Sequence, residues 1–157
     1  MDENKVELSV AEQAEQAAKD YFRQGLNCAE CVLKAFMDTH ETGMSEEVLA
    51  LATGFGGGIG RAQSLCGAIS GAVMAVGMAK GRRNPLEKET PRERAQELGT
   101  IYPHFAEMVQ ELEGRYGTMI CKELSSPFDE FEGKSRRKNC QEIIGFCAAL
   151  AARYAEK

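Results

Sequence analysis

The sequence predicts an all-α fold: a compact bundle of about six helices, with a glycine-rich loop ahead of a buried central helix. Three observations carry this expectation. Apolar residues recur at helical spacing, no segment alternates with a period of two, and a capping residue followed three positions later by glutamate opens several segments. At 157 residues the chain is read as one domain, 1–157. A chain of that size can bury about two-thirds of the surface its unfolded form exposes, so it needs no disulfide staples.

The elements follow in order. Ser9 with Glu12 forms a capping box, and Ala11, Ala14, Ala17, Ala18, Tyr21 and Phe22 continue at helical spacing, which places a first helix at about 10–24 ending at Gly25. Asn27 with Glu30 forms a second box, so the second helix begins at the cysteines of "NCAEC". Ser45, Glu46 and Glu47 open a short third helix, which must break in "TGFGGGIGR", where five glycines fall between 54 and 60. Ser64 is expected to cap the next helix, making Cys66 its second residue; Gly67 and Gly71, four apart, lie on one face that Ala68, Ala72, Ala75 and Ala79 keep thin. Another helix backbone can approach closely there. A polar linker leads to Thr90 and Pro91, an N-cap and first-turn pair, and a long helix to about Tyr116, ended by Gly117. Pro103 is expected to kink or split it. A short turn of helix around Cys121, a loop through "SSPFDEFEG" and a final helix at 136–155 complete the chain.

Composition narrows the function. With 43% hydrophobic and 27% charged residues and a formal charge of −5, the chain reads as globular, and attraction of the whole protein to nucleic acid or anionic lipid is not expected. The local basic run of Lys134, Arg136, Arg137 and Lys138 reads as a solvated helix start. "MDENKVELSV" lacks the basic start and apolar core of a secretory signal, and the apolar stretch from Leu65 to Ala79 falls short of the roughly 20 residues a bilayer span needs. A cytoplasmic location is therefore expected, where cysteines are reduced, metal-bound or cycling.

Six cysteines remain to be explained. Cys28 and Cys66 both fall at expected helix starts, where unpaired backbone N–H groups and the helix dipole favour a thiolate, the form that attacks disulfides and binds metals. Cys28 and Cys31 form Cys-x-x-Cys, but a thioredoxin-like reading wants a βαβ pattern that is missing, so only a local dithiol is open. Cys147, two helical turns after Cys140 on the apolar stripe, is expected to pack. Cys121 and Cys140 are solitary, and either packing or chemistry is open for them. The glycine loop completes neither a P-loop nor a Gly-x-Gly-x-x-Gly motif, so no nucleotide cofactor is expected. Zinc or an iron–sulfur cluster held by Cys28, Cys66, Cys121 and Cys140 is the competing reading, although the spacings lack the tight pairs of structural zinc sites. His40 is expected near a helix end, and His104 to pack or cap.

Taken together, "NCAECVLKAF", "GFGGGIGR", "CGAISGAVMAVG", the cysteine of "MICKEL" and that of "KNCQEII" resemble the redox-active proteins named for the C_GCAxxG_C_C cysteine pattern, over about residues 20–147. The central Cys-Gly-Ala-x-x-Gly runs from Cys66 to Gly71. The resemblance implies that the pattern's four cysteines are Cys28, Cys66, Cys121 and Cys140, with Cys31 and Cys147 additions of this chain. It implies a small bacterial or archaeal redox protein and supplies no substrate.

The expectation is therefore a thiol–disulfide protein, with Cys66 attacking, Cys28 resolving, and Cys121 and Cys140 forming a second pair or relay. Its partner would be an unknown redox protein or small thiol, and no resident cofactor is required. The competing reading is metal binding without turnover. A homodimer is expected from the share of apolar helix faces, and a third reading makes the small-residue face of 67–79 its seam while the cysteines merely pack.

Overall fold

The computed structural model describes residues 6–128 and 133–157. Its helices are α1 (Val10–Arg23), α2 (Cys28–Thr39), a 3-10 helix (Glu46–Phe55), α3 (Gly67–Lys80), α4 (Pro91–Tyr116), α5 (Cys121–Leu124) and α6 (Lys134–Glu156). The described residues contain no strand, and one isolated antiparallel bridge pairs Leu65 with Ile120. The fold is all-α.

Helix starts follow the sequence where side chain and backbone cap each other within four residues. The boxes Ser9–Glu12, Asn27–Glu30 and Thr90–Glu93 are all closed in both directions, and Pro91 occupies the first turn of α4. Gly117 ends α4 in the left-handed conformation at φ 72°.

Helices α1, α2, α3 and α6 form the body of the bundle: α1 packs on α2 and α6, and α3 packs on the same two helices. Small residues let them approach. Ala14, Ala18, Ala29, Ala35, Ala72, Ala75, Ala148 and Ala151 are fully buried, and Phe36, Ile69, Ile144, Leu150 and Tyr154 fill the space between. A Cβ on Gly71 would lie 2.9 Å from the Ala29 carbonyl oxygen and 2.9 Å from Val32 Cβ, so α3 crosses α2 almost backbone to backbone. Gly67, Ala68, Gly71, Ala72 and Ala75 of the small-residue face are thus buried inside the chain, while Ala79 at its far end is exposed.

The short third helix opened by Ser45 is present, in 3-10 form, and its far end is held against α2, where Asn27 Nδ2 donates to the Thr53 carbonyl (2.9 Å) and Thr53 Oγ1 to Glu30 (3.1 Å). Two expectations are corrected. Cys66, not Ser64, is the N-cap of α3, because Ser64 is tied into an extended segment by its carbonyl, which accepts from Cys121 N at 2.6 Å. Pro103 does not split α4, which continues as one helix. Pro103 and Gly99, whose carbonyl the proline ring frees, both face solvent, where water can satisfy the lost bond. His104 does cap: its Nε2 lies 2.7 Å from the Tyr154 carbonyl in the last turn of α6. His40 stacks on Phe36 at the end of α2, with ring centroids 4.0 Å apart.

Among the described residues, no helix is long and apolar enough to cross a membrane.

Candidate functional site: a cavity lined by four cysteines

Four separate elements each deliver one cysteine to one place. Cys28 opens α2, Cys66 caps α3, Cys121 opens α5, and Cys140 lies nearly two turns into α6. All four line a small interior cavity of ≈ 20 Å³, space for about one water.

Missing side chains make this convergence possible. A Cβ on Gly67 would stand 3.1 Å from Cys28 Cβ and 2.7 Å from the Phe55 carbonyl oxygen, and a Cβ on Gly58 would stand 2.7 Å from Cys121 Cβ. No side chain fits at either position. The glycine loop also carries five consecutive left-handed residues, Gly57, Gly58, Ile59, Gly60 and Arg61, with φ between 57° and 73°. This conformation is free for glycine and costs a non-glycine residue about 1–2 kcal/mol. The chain thereby turns tightly enough to lay residues 63–66 against 119–122: Cys66 N donates to the Met119 carbonyl (2.9 Å) and Lys122 N to the Gln63 carbonyl (3.0 Å). That short bridge joins Cys66 and Cys121, which are far apart in the chain.

The electrostatics differ from the sequence expectation. Burial pushes Cys66 up to about 12, against the opposing pull of the Ile69 and Ala68 N–H groups at the start of α3. Burial likewise raises Cys28, with the Gly57 N–H and the Arg136 guanidinium pulling the other way. Cys140 is pushed up to about 11, again by burial first and then by Cys28, while Arg136 and Arg137 oppose. Magnitudes explain the reversal: a helix terminus contributes at most about 2 kcal/mol, whereas full burial can shift a group by 3–5 pKa units at about 1.4 kcal/mol each. Helix starts alone therefore do not make these thiols thiolates at neutral pH.

Arg136 is the neighbour that spacing did not reveal. Its side chain is nearly buried, with Nε donating to Ser125 Oγ at 3.0 Å and Nη2 to Cys121 Sγ at 3.6 Å. A guanidinium stays charged when buried, so it offers a fixed positive charge to whichever sulfur gives up its proton. The available signal was the basic run at 134–138, which the sequence reading assigned to solvent.

The cavity adjoins an open pocket of ≈ 530 Å³, and Cys28, Cys140 and Arg136 line both. Cys66 and Cys121 line only the inner cavity. Cys31 and Cys147 line neither space; both are fully buried, and Cys31 Sγ donates to the Leu26 carbonyl at 3.5 Å. Among the described residues, no group of three or more His, Cys, Asp or Glu side chains is placed to hold a metal ion. A cationic guanidinium against Cys121 is also a poor neighbour for one.

A family model described as "Putative redox-active protein (C_GCAxxG_C_C)" matches residues 26–154. The chain belongs to the C_GCAxxG_C_C family. An uncharacterized protein of Archaeoglobus fulgidus is 26% identical over 145 residues, covering 87% of this chain and 89% of the relative. No solved structure matches. Within the C_GCAxxG_C_C pattern, the Cys-Gly-Ala-x-x-Gly run has a physical reading here: Cys66 faces the cavity, Gly67 admits Cys28, and Gly71 admits α2.

Proposed function

We propose that the chain is a thiol–disulfide redox protein that works through Cys28, Cys66, Cys121 and Cys140. The observation that carries this reading is the single cavity to which four elements each contribute one cysteine, two of which also face an open pocket. Exchange needs access as well as a thiolate, and access favours Cys28 over Cys66 as the attacking group. Cys28 also has both the Gly57 N–H and Arg136 acting to hold its charge.

Cys28 thiolate attacks one sulfur of an incoming disulfide, forming a mixed disulfide and expelling the other half as a thiolate that takes up a proton. Cys66, whose neighbour Gly67 lies against Cys28, then gives up its proton and attacks the Cys28 sulfur. The internal disulfide forms and the second half leaves as a thiol, so two protein thiols are oxidised and one external disulfide is reduced. Cys121 and Cys140 supply the second pair or relay. Self-association would use exposed surface such as that around Tyr102 of α4, 60% exposed, and sedimentation of the Tyr102→Glu variant against the parent chain tests this.

Reduced protein treated with a mild neutral disulfide should lose free thiols in pairs, with peptide mapping finding bonds among the four cavity cysteines. Cys28→Ser should abolish the first exchange step. Near-stoichiometric zinc or iron in anaerobically purified protein, with thiols that resist oxidation, would instead establish the metal-binding reading.

A further inference from the structure

The three capping boxes of the chain are not equivalent. Ser9–Glu12 and Thr90–Glu93 are closed by bonds among residues near them in the chain. Asn27–Glu30 also reaches a second element. Asparagine keeps a donor after its oxygen has capped the helix: Asn27 Oδ1 accepts from Glu30 N at 2.9 Å, while Nδ2 donates to the Thr53 carbonyl at 2.9 Å. Glu30 is shared in the same way, one carboxylate oxygen accepting from Asn27 N at 3.0 Å and the other from Thr53 Oγ1 at 3.1 Å. Thr53 leads into the glycine loop, which is pressed onto the start of α2: a Cβ on Gly56 would stand 2.8 Å from both Cβ and Nδ2 of Asn27. One residue on, the Gly57 N–H is the foremost group opposing the effect of burial on the Cys28 thiol, ahead of Arg136.

We propose that Asn27 is a positioning residue for Cys28: with Glu30 and Thr53 it clamps the glycine loop to the start of α2 and so keeps the Gly57 N–H beside the reacting sulfur. The inference rests on the thiol–disulfide reading above and adds what holds Cys28 ready to attack. Serine or aspartate would cap α2 as well as asparagine does, so capping alone does not account for the amide. As Cys28 gives up its proton, negative charge gathers on its sulfur, and a donor already fixed in place stabilises that charge without having to reorient. The loop has little stiffness of its own to fix the donor, because Gly54, Gly56, Gly57 and Gly58 follow Thr53 with only Phe55 among them. The clamp supplies what the glycines lack.

The test treats the reduced full chain with iodoacetamide, a neutral reagent that alkylates thiolates, and follows Cys28 and Cys140 separately by peptide mapping. Cys140, carried by α6, is the internal reference. Asn27→Ser keeps the cap and removes the donor, and Thr53→Val removes the hydroxyl at an exposed position. Asn27→Ser should slow Cys28 alkylation about tenfold near pH 8 and displace its rate–pH profile upward by about one pH unit, with Cys140 unchanged. Thr53→Val should slow Cys28 roughly threefold in the same pattern, and it decides the matter if Asn27→Ser does not fold. A merely structural clamp gives the opposite sign, because a loosened loop uncovers Cys28 and speeds its alkylation. A Cys28 rate unchanged or raised, or Cys28 and Cys140 slowed alike, would overturn the inference while leaving exchange chemistry standing. Iodoacetamide requires only a thiolate, so a parent chain whose thiols survive bis(hydroxyethyl) disulfide would overturn the thiol–disulfide reading and leave the role of Asn27 at Cys28 in place.

Discussion

Cys31 and Cys147 on one side, and Cys28, Cys66, Cys121 and Cys140 on the other, set one residue type in two environments of the same bundle. Cys31 and Cys147 are sealed among apolar side chains, and burial holds both thiols far on the neutral side. The four others are also substantially buried, yet they border empty space and a guanidinium. Burial therefore does not separate filler from candidate chemistry here, and neither does position at a helix start. The distinguishing feature is a cavity with a charge beside it and a path to solvent.

The comparison breaks most severely at Gly58, the glycine on which the cavity wall depends. Gly58→Ala places a Cβ 2.7 Å from Cys121 Cβ at a residue with φ 73°. Backbone strain and overpacking together should cost about 2–4 kcal/mol, read as a lower urea midpoint, and should slow pairing of Cys121.

Single-cysteine variants sharpen it next. Cys147→Ala should lose roughly 1–2 kcal/mol of stability through the void it leaves, with paired thiol oxidation retained. Cys28→Ser should change stability by less than about 1 kcal/mol and abolish exchange. Reversal of these outcomes would merge the two groups. The pH dependence belongs to the same contrast. Cys28 is held above the ordinary thiol value of 9.0, so its thiolate fraction, and with it the exchange rate, should climb from pH 7 past pH 9 without levelling, measured by stopped-flow thiol loss. Stability should move oppositely. Because Cys66 titrates at about 12 when folded and near 9.0 otherwise, the unfolded chain releases its proton first, and stability present below pH 9.0 is lost as pH rises toward 12.

The smallest effect is expected at Ile59, a β-branched residue at φ 69° and 47% exposed. Ile59→Gly should raise stability by up to about 1 kcal/mol, the relief of strain being partly offset by the greater freedom of the unfolded chain. A loss of stability would show that the isoleucine side chain contributes more than its backbone costs.

Legibility in the sequence tracks how local the physics is. Capping boxes at Ser9, Asn27 and Thr90 and the terminator at Gly117 act within a few residues, and each was readable. The 3-10 form of the short helix at 46–55 was not, since it depends on Asn27 and Glu30 reaching across from α2. The displaced start of α3 was equally hidden, since Ser64 is held by a strand-like partner more than fifty residues onward. Arg136 was visible as part of a charge run, but nothing in the run says that one of its members turns inward.

Sequence by itself determined that the chain is helical, where most helices begin, and which four cysteines match one family pattern. Tertiary structure alone decided that those four share a cavity, that of them Cys28 and Cys140 reach the open pocket, and that burial overrides the helix starts in setting the protonation of Cys28 and Cys66. The physical reason is range. Helical periodicity and capping are settled between neighbours, whereas desolvation and convergence depend on what the rest of the chain removes from water.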